Sequence, residues 1–289
     1  MDLNRNDLCW CGSNKKYKKC HLEFDQKLQH YENKGCIIPP KDIIKNAEQI
    51  EGIRASAKIN TEVLDLVAKN IKAGLSTEDI DILVHDYTIS KGAIPAPLNF
   101  EGFPKSCCTS INDEICHGIP DKNVILKDGD IINVDVSTIY NGYYSDASRM
   151  FMIGEVHEDL KKLVRVSKEC LDLALESAKP WGFLGDIGEA CQKHAEANGY
   201  SVVREFGGHG VGLQFHEDPF VAHVGKKGTD MLLVPGMIFT IEPMINMGKP
   251  NLFVDADNDW TALTEDGYPS SQWEYTVLVT ETGTEILTH

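Results

Sequence analysis

The strongest constraint on the fold is an internal repeat, in which similar residues recur at one fixed offset along the chain. The run DGDIINVD, which ends at Asp135, aligns with PGMIFTIE, which ends at Glu242, so that glycine matches glycine and acid matches acid. The same offset recurs upstream in three further pairs, which are Leu64 with Leu171, Asp79 with Asp186, and Gly92 with Gly199. A recurring offset predicts two copies of one unit. The alternative is chance, because glycine followed by apolar residues is common at strand starts.

The first of these runs predicts a buried strand that contains an acid. Residues 131–136 are rich in β-branched side chains, which favour a strand, yet Asp135 lies among them. An unpaired buried carboxylate costs several kcal/mol or becomes neutral, so Asp135 needs a cation, a ring of hydrogen-bond donors or a metal. The pair Asn141 and Gly142 predicts a hairpin turn that returns Asp146 to the neighbourhood of Asp135. Two carboxylates then point to one place.

The remaining body shows helical and strand-like segments in a repeated order. Apolar residues recur at three and four positions in the first segment, and a capping Thr77 opens the second. The predicted segments are helices over 41–71, 76–92, 158–179 and 185–199, with a second set of strands over 201–242. Two helices and a hairpin sheet, repeated once, predict an α+β sandwich with pseudo-twofold symmetry.

Composition restricts the compartment and the partners. The chain has 289 residues, of which 42% are apolar, and no apolar run approaches the roughly 20 residues of a membrane-spanning helix. The nine cysteines and an N-terminus without a signal-like run favour the cytoplasm over a secreted disulfide framework. A net charge of −16 disfavours nucleic acid as a partner of the whole surface. Residues 1–22, however, have five basic and two acidic side chains, a net charge of +3.

The basic N-terminus contains a cluster of soft metal ligands in the run CWCGSNKKYKKCH. Cys9, Cys11, Cys20 and His21 meet the requirement of a tetrahedral zinc site, and a segment this short has no core of its own. The alternative is a disordered tail with reactive thiols. The pattern resembles the SEC-C zinc motif along its whole length, which implies one structural zinc and a docking role. Residues 23–40 are predicted to be a polar linker, and residues 41–289 the main domain.

The body contains further acids and imidazoles at unusual positions. His209 lies among glycines in GGHGVG, which suits a metal ligand but leaves a packed core histidine open, and Glu274 interrupts the β-rich run SQWEYTVLV. The resulting set is Asp135, Asp146, His209, Glu242 and Glu274. Four carboxylates and one imidazole favour a pair of divalent ions about 3.5–4 Å apart.

The order Asp, Asp, His, Glu, Glu resembles the signature of the methionine aminopeptidases of metallopeptidase family M24, in their type I bacterial form. The runs PKSCCTSINDEICHGIP, GHGVG, TIEPM and SxQxE carry the resemblance, which covers residues 41–289. It implies the two-copy "pita-bread" fold with the site between the halves. It also implies removal of the N-terminal methionine from nascent proteins and peptides, preferentially before a small second residue. Hydroxide activated by two divalent ions (Co, Mn, Fe or Zn) would attack the first peptide bond.

The resemblance also implies a role for each residue. Asp135 would chelate one ion, His209 and Glu242 would bind the other, and Asp146 and Glu274 would bridge the two. His117 and His216 would be catalytic imidazoles that touch the substrate, at the amide nitrogen of the next residue and at the scissile carbonyl respectively. Glu242 would also carry a proton to the leaving amine. A structural or surface role is the alternative for each histidine.

An apolar pocket for the methionine side chain is expected from aromatic residues and a thiol. The expected pocket residues are Phe100, Phe103, Cys108, Phe215 and Trp260. Ordinary core aromatics are the alternative interpretation. Phenylalanines at 100 and 103, where relatives commonly have tyrosine, and Pro97, where they often have cysteine, affect the expected pocket shape.

Two other functions compete with this interpretation: a related proline-directed peptidase, and a non-enzymatic peptide-binding protein on the same fold. The first usually has a large preceding domain, and the second is expected to lose ligands or a catalytic imidazole, whereas all are present here. We expect a monomer without membrane contact that meets nascent chains at the ribosome through residues 1–22. That module is not expected to shape the active site.

Overall fold

The computed structural model describes residues 3–289, so Met1 and Asp2 of the predicted zinc module lie outside the described residues. The helices are α1 (Leu22–Glu32), α2 (Ala47–Asn70), α3 (Thr77–Ser90), α4 (Glu158–Ser177) and α5 (Leu184–Ala197). The strands before α4 are β1 (Ile94–Pro95), β2 (Cys108–Ile111), β3 (Glu114–Cys116), β4 (Ile131–Tyr140) and β5 (Tyr143–Met152). The later strands are β6 (Ser201–Val202), β7 (Gly208–Gly210), β8 (Glu217–Val221), β9 (Ile238–Ile241), β10 (Met244–Asn246), β11 (Leu252–Val254), β12 (Ala262–Thr264), β13 (Ser270–Gln272), β14 (Tyr275–Val279) and β15 (Thr284–Ile286).

The element boundaries confirm the internal repeat. The offset that separates Asp135 from Glu242 also separates the starts of α3 and α5, the ends of α3 and α5, and strands β1 and β6. Helices α2 and α4 share the offset at their ends, and strands β4 and β9 share it at their starts. The caps repeat as well: the Asp79 carboxylate accepts a hydrogen bond from the Ser76 main-chain N–H, and Asp186 does the same for Phe183. The pseudo-twofold prediction is therefore confirmed.

Strands β4 and β5 form the predicted hairpin. Tyr140 pairs with Tyr143, which leaves Asn141 and Gly142 as a two-residue turn with φ of 50° and 83°. Positive φ at both positions is the geometry that suits the twist of a hairpin. Asp135 pairs with Ser148 and Asp146 pairs with Ser137. Because the side-chain period of a strand is two, both aspartates lie on one face of the hairpin, on diagonal positions.

The second half has the same pair of long strands, but each strand is broken at its acid. Strand β9 ends before Glu242 and β10 begins after Pro243, while β13 and β14 flank Trp273 and Glu274. The register is the same on both sides of the gap, with Ile241 paired with Tyr275 and Met244 paired with Gln272. Glu242 therefore lies opposite Glu274.

Helices cover the outer faces of the two halves. One apolar core packs α2 and α3 against β4 and β5, and a larger core packs α4 and α5 against β9 and β14. A smaller cluster joins the halves, and its buried members are Ile53, Ala57, Val211, Ile238, Leu278 and Leu287. In each half, helices thus cover one face of the sheet. The other face, which carries the acids, is directed toward the centre of the molecule. In the described part of the chain, no helix is both long and apolar enough to cross a membrane.

The structure corrects the expectation of a polar linker over residues 23–40. Helix α1 begins this stretch and ends at Glu32, and Leu28 on it is buried. The Phe24 ring lies 5.6 Å from the Trp181 ring, and the Tyr31 ring stacks on Trp181 at 5.8 Å. These apolar residues recur at four and three positions, which is the period of one helix face. The boundaries at 22 and 40 stay a prediction.

Candidate active site

A cavity of about 650 Å³ lies at the inner faces of the two halves. Twelve predicted site residues line it, namely Phe100, Phe103, Cys108, His117, Asp135, Asp146, His209, Phe215, His216, Glu242, Trp260 and Glu274. Both halves contribute lining residues: Asp135 and Asp146 come from the first half, and Glu242 and Glu274 from the second. The repeat therefore brings the acids together.

Four carboxylates and one imidazole converge at the base of this cavity. His209 Nε2 lies 3.7 Å from Asp146 Oδ2 and 3.6 Å from Glu242 Oε1. Ligand atoms of Asp146, His209 and Glu274 all lie within 4.8 Å of one another. The strands and strand gaps that carry these residues therefore bring five donor groups to the wall of one cavity.

Hydrogen bonds fix the orientation of Glu242. Its Oε1 accepts from the Thr240 hydroxyl at 2.6 Å, and its Oε2 accepts from the Gln272 amide at 3.2 Å. Its main-chain N–H, which lies in the gap between β9 and β10, donates to His223 Nε2 at 3.0 Å. The carboxylate is thus held from both sides and from its backbone.

His209 is oriented as a nitrogen donor to the cavity. Its main-chain N–H donates to Thr240 Oγ1 at 2.9 Å, and its Nδ1 lies 3.0 Å from the Gly210 carbonyl oxygen. Because Nδ1 donates to that carbonyl, the proton resides there and Nε2 presents a lone pair. Burial lowers the pKa of His209 to about 4, which keeps the ring neutral.

In the part of the chain that the structure describes, no lysine or arginine balances these carboxylates. Burial raises the pKa of Asp135 to about 7 and that of Glu242 to about 8. Burial, reinforced by the neighbouring acids, raises the pKa of Asp146 and Glu274 well above the ordinary range. Among residues 3–289, neither lysine nor arginine lines the cavity, and Asp135 Oδ1 is buried without a hydrogen-bond partner. An oxygen-rich donor set of this kind fits divalent cations.

His117 and His216 line the same cavity. Burial lowers the pKa of His117 to about 4, with nearby His216 as a second cause, and burial also lowers the pKa of His216. The His216 ring lies 4.3 Å from the His209 ring, between the acidic cluster and the aromatic wall. His117 has a φ of 57°, a left-handed conformation that is uncommon for a residue with a side chain and concentrates at functional sites. Both imidazoles are neutral hydrogen-bonding groups.

The apolar wall consists of aromatic rings in edge contact. The Phe103 and Trp260 rings lie 5.1 Å apart, and the Phe100 and Phe215 rings lie 4.9 Å apart. Cys108 pairs with Asp135 across β2 and β4, and burial keeps its thiol neutral by raising its pKa. This wall suits an unbranched apolar side chain.

Sequence reasoning missed part of the lining. Pro97, which the sequence had already indicated at the expected pocket, also lines the cavity. The lining residues that were missed are Glu101, Ser137, Glu205, Phe206, Gly207, Gln214, Phe220 and Met244. Phe206 and Gly207 adjoin the glycine-rich run around His209, and Ser137 is one strand period from Asp135, so proximity in sequence could have indicated them. Glu101 and Gln214, which are next to Phe100 and Phe215 in the sequence, could have been indicated in the same way, whereas chain folding alone brings Phe220 to the cavity.

The predicted N-terminal ligands form a second cluster. Ligand atoms of Cys9, Cys11, Cys20 and His21 all lie within 4.8 Å of one another. His21 Nδ1 lies 3.2 Å from both Cys9 Sγ and Cys20 Sγ, and the Sγ atoms of Cys11 and Cys20 lie 3.6 Å apart. Three sulfurs and one imidazole nitrogen fit a tetrahedral metal site. The identity of the metal stays a prediction.

Comparison with known proteins agrees with this geometry. Residues 51–281 match metallopeptidase family M24, and residues 5–23 match the SEC-C motif. The chain is 47% identical over 294 residues to a methionine aminopeptidase of Chlamydia trachomatis serovar D, covering 99% of each chain. It is 46% identical over 246 residues to the Escherichia coli K12 methionine aminopeptidase, covering 85% of this chain and 93% of the relative.

A solved structure shows the same architecture. The methionine aminopeptidase from Rickettsia prowazekii superimposes with a TM-score of 0.84 at 43% identity, covering 85% of this chain and 99% of that chain. The predicted two-copy fold and the predicted relationship are both confirmed. The chain therefore belongs to the methionine aminopeptidases of metallopeptidase family M24, and it carries an SEC-C motif in front of the peptidase domain.

Proposed function

We propose that the protein removes the N-terminal methionine from nascent proteins and peptides, preferentially when the second residue is small. The observation that carries the proposal is the convergence in one cavity of five potential metal ligands, two further imidazoles and an aromatic wall. A proline-directed peptidase on the same fold is the competing function. The names of the relatives support the methionine substrate.

The acidic cluster would hold two divalent ions. Asp135, Asp146, His209, Glu242 and Glu274 would be the ligands, and Co, Mn, Fe and Zn are the candidate metals. The unpartnered Asp135 Oδ1 and the lack of lysine or arginine in the described lining fit such a pair. When bound, the ions would supply an acidified water as nucleophile and polarise the scissile carbonyl.

The protein's own groups orient and protonate the substrate. Glu242 is held by Thr240 and Gln272 at a position where it can take a proton from the attacking water and pass it to the leaving amine. His216, neutral and next to His209, would donate a hydrogen bond to the scissile carbonyl oxygen as charge develops there. His117 would bond the amide nitrogen of the following residue.

The aromatic wall would bind the methionine side chain and restrict the second residue. Phe103, Cys108 and Trp260 present apolar and polarisable surface to a thioether. The Phe215 ring stacks on the His216 ring at 4.3 Å and contacts Phe100, which fills the wall beside His216. A small second residue of the substrate would fit beside this wall, whereas a large one would have to displace the aromatic rings.

Peptide cleavage by the metal-reconstituted protein tests the function. We expect rapid release of methionine from Met-Ala-Ser, slow release from Met-Lys-Ser, and no cleavage of Ala-Pro peptides. Equal rates on Met-Ala-Ser and Met-Lys-Ser would refute the small-residue preference. Preferential cleavage of Ala-Pro would favour the proline-directed peptidase instead.

The acids at the proposed metal positions give a second, residue-level test. Glu242→Gln and Asp135→Asn should each lower turnover of Met-Ala-Ser about a thousandfold, because each removes charge from the donor set. Circular dichroism should show an unchanged fold, and metal analysis should accompany each assay. Full turnover with unchanged metal content in either variant would contradict the assignment.

The N-terminal module would bind one structural zinc and dock at the ribosome. Its five basic residues, Arg5, Lys15, Lys16, Lys18 and Lys19, are all exposed. A basic face on an otherwise acidic chain suits an RNA-rich surface. Because α1 packs on the second half, deletion of residues 1–40 would expose core residues, so charge removal is the cleaner test.

The docking test replaces the four lysines by alanine. We expect weaker, less salt-sensitive co-sedimentation with ribosomes and unchanged cleavage of free Met-Ala-Ser. Replacing Lys122, Lys226, Lys227 and Lys249, four exposed lysines of the body, is the matched control. Equal sedimentation of the two variants would count against docking through residues 1–22.

The compartment and assembly state belong to the same proposal. None of the nine cysteines, all of which lie in the described part of the chain, forms a disulfide, which suits the reducing cytoplasm. Residues of a single chain complete the cavity, so a monomer would be sufficient for catalysis.

A further inference from the structure

Lys45 is a buried cation with a single carboxylate partner. Only 1% of its side chain is exposed, and its ammonium group forms an ion pair with Glu217, whose side chain is 11% exposed. The two residues are 172 positions apart in the chain. A buried charge that loses its partner is strongly destabilising, so this pair fixes the relative position of two distant segments.

Glu217 also holds the loop that precedes it. Its Oε1 accepts hydrogen bonds from the main-chain N–H groups of Leu213 at 2.6 Å and Gln214 at 2.8 Å. One carboxylate therefore binds an ammonium group with one oxygen and two backbone amides with the other. Such charge-assisted bonds are stronger than neutral ones, so the loop conformation depends on this carboxylate.

The loop over residues 211–217 carries Phe215 and His216 into the cavity. The His216 ring lies 4.3 Å from His209, and the Phe215 ring lies 4.9 Å from Phe100. A shift of the loop would therefore move a proposed catalytic imidazole and part of the aromatic wall together.

The stem of Lys45 lies directly beneath this loop. A Cβ atom built at Gly212 would come within 2.4 Å of Ile53 Cδ1 and 3.6 Å of Lys45 Cε. The Gly212 carbonyl accepts from the Tyr144 main-chain N–H at 2.9 Å, which ties the start of the loop to β5. The end of the loop is tied by Glu217. Lys45 thus anchors the loop at the end next to His216.

We propose that the Lys45–Glu217 ion pair is a positioning device that sets the place of Phe215 and His216 in the cavity. The proposal rests on the peptidase function proposed above, and neither residue lines the cavity. A displacement of about 1 Å at a catalytic group can cost about a hundredfold in rate. Because His216 would act on the developing charge, its displacement lowers kcat more than it raises KM.

The test compares three variants of the full, metal-loaded chain. Lys45→Met should lower kcat/KM on Met-Ala-Ser about 10- to 100-fold, mainly through kcat, with unchanged metal content. Lys45→Arg, which keeps the charge, should restore most of the activity. Glu217→Gln keeps an acceptor oxygen for the two amides but leaves the Lys45 ammonium group buried without a charged partner, so it should show a loss similar to that of Lys45→Met.

A structural readout and a matched control separate this proposal from general destabilisation. Hydrogen exchange of the peptide over 211–217 should become faster in Lys45→Met, while exchange in α2 stays unchanged. Lys91→Met removes a lysine that pairs with Glu62 at 2.8 Å and does not line the cavity, and it should leave both readouts unchanged.

The outcomes distinguish the two proposals. The positioning role would be overturned if Lys45→Met had the same loop exchange rate and the same kcat as Lys91→Met. Faster exchange of the loop with an inactive parent chain would support the ion pair as the anchor of the loop and refute the peptidase function instead. A Lys45→Arg variant as impaired as Lys45→Met, with an equally mobile loop, would also overturn the role of the charge.

Discussion

At the scale of single residues, burial shifts the pKa values of the site's acids and imidazoles toward their neutral forms. Burial keeps His117 neutral with a pKa of about 4 and raises the pKa of Glu242 to about 8. The sequence motifs predicted which acids and imidazoles meet. They carried no signal for His223 or Lys45, because those contacts join distant segments and neither residue interrupts a recognisable pattern. Side chains that support a site are therefore harder to predict than side chains that form it.

His117→Ala tests the separation between metal binding and substrate contact. We expect turnover of Met-Ala-Ser to fall about 10²- to 10³-fold, because a hydrogen-bond donor near the reacting amide is lost. Metal content, measured by mass spectrometry of the dialysed protein, should stay at the parent level. Loss of metal in step with activity would instead place His117 among the ligands.

His223 provides a second prediction at this scale. Its Nε2 accepts the Glu242 main-chain N–H at 3.0 Å, which no strand partner satisfies. His223→Phe should destabilise the protein by about 1–3 kcal/mol, the cost of a buried unsatisfied donor, and weaken metal binding. His223→Gln, which can accept through its Oε1, should retain more of both. Urea unfolding and metal titration would measure the two effects, and equal behaviour of the variants would contradict this role.

At the scale of elements, the repeat allowed most of the body to be predicted. The offset between the two copies recurs at both ends of α3 and α5, and the turn at Asn141 and Gly142 gave the hairpin. The sequence did not lead us to predict α1, although Phe24, Leu28 and Tyr31 share a helix face. That helix is mostly polar. Its apolar face packs on Trp181, a residue far away in the sequence, so the reason for that face becomes clear only in the fold.

The hairpin turn gives a prediction about stability. Gly142 has a φ of 83°, and a Cβ atom built there would meet nothing within 4 Å. Gly142→Ala should therefore destabilise the protein by about 1–2 kcal/mol through backbone strain alone. Asn141→Gly, at a φ of 50°, should change the free energy of unfolding by less than about 1 kcal/mol. Urea denaturation measures both, and an unaffected Gly142→Ala variant would contradict the strain argument.

At the scale of the whole molecule, the candidate active site lies where the two copies meet. Asp135 and Asp146 belong to the first half, whereas His209, Glu242 and Glu274 belong to the second. Divalent ions bound by all five would link the halves and offset the repulsion among buried acids. Metal binding should therefore stabilise the entire domain, by about 2.7 kcal/mol for each ion at a free metal concentration one hundred times its Kd.

The metal-free protein should lose stability as the pH rises from about 7.5 to about 8.5. Above about pH 7.5 the histidines with lowered pKa are neutral in the folded state and, with an ordinary pKa of 6.5, almost entirely neutral in the unfolded state, so they contribute little slope. The pKa of Asp135 is raised to about 7 and that of Glu242 to about 8, so the folded state binds more protons than the unfolded state. Stability from a raised pKa is lost as pH increases through the folded value.

Urea unfolding at pH 7.5 and pH 8.5, with chelator or with added Mn²⁺, measures this effect. The free energy of unfolding should fall with pH for the metal-free protein and fall much less with metal bound, since the ions neutralise the carboxylates in the folded state. Glu242→Gln removes one titrating group and should reduce the fall in the metal-free protein. A metal-free protein whose stability stayed constant across this range would show that the two halves do not confine uncompensated acids between them.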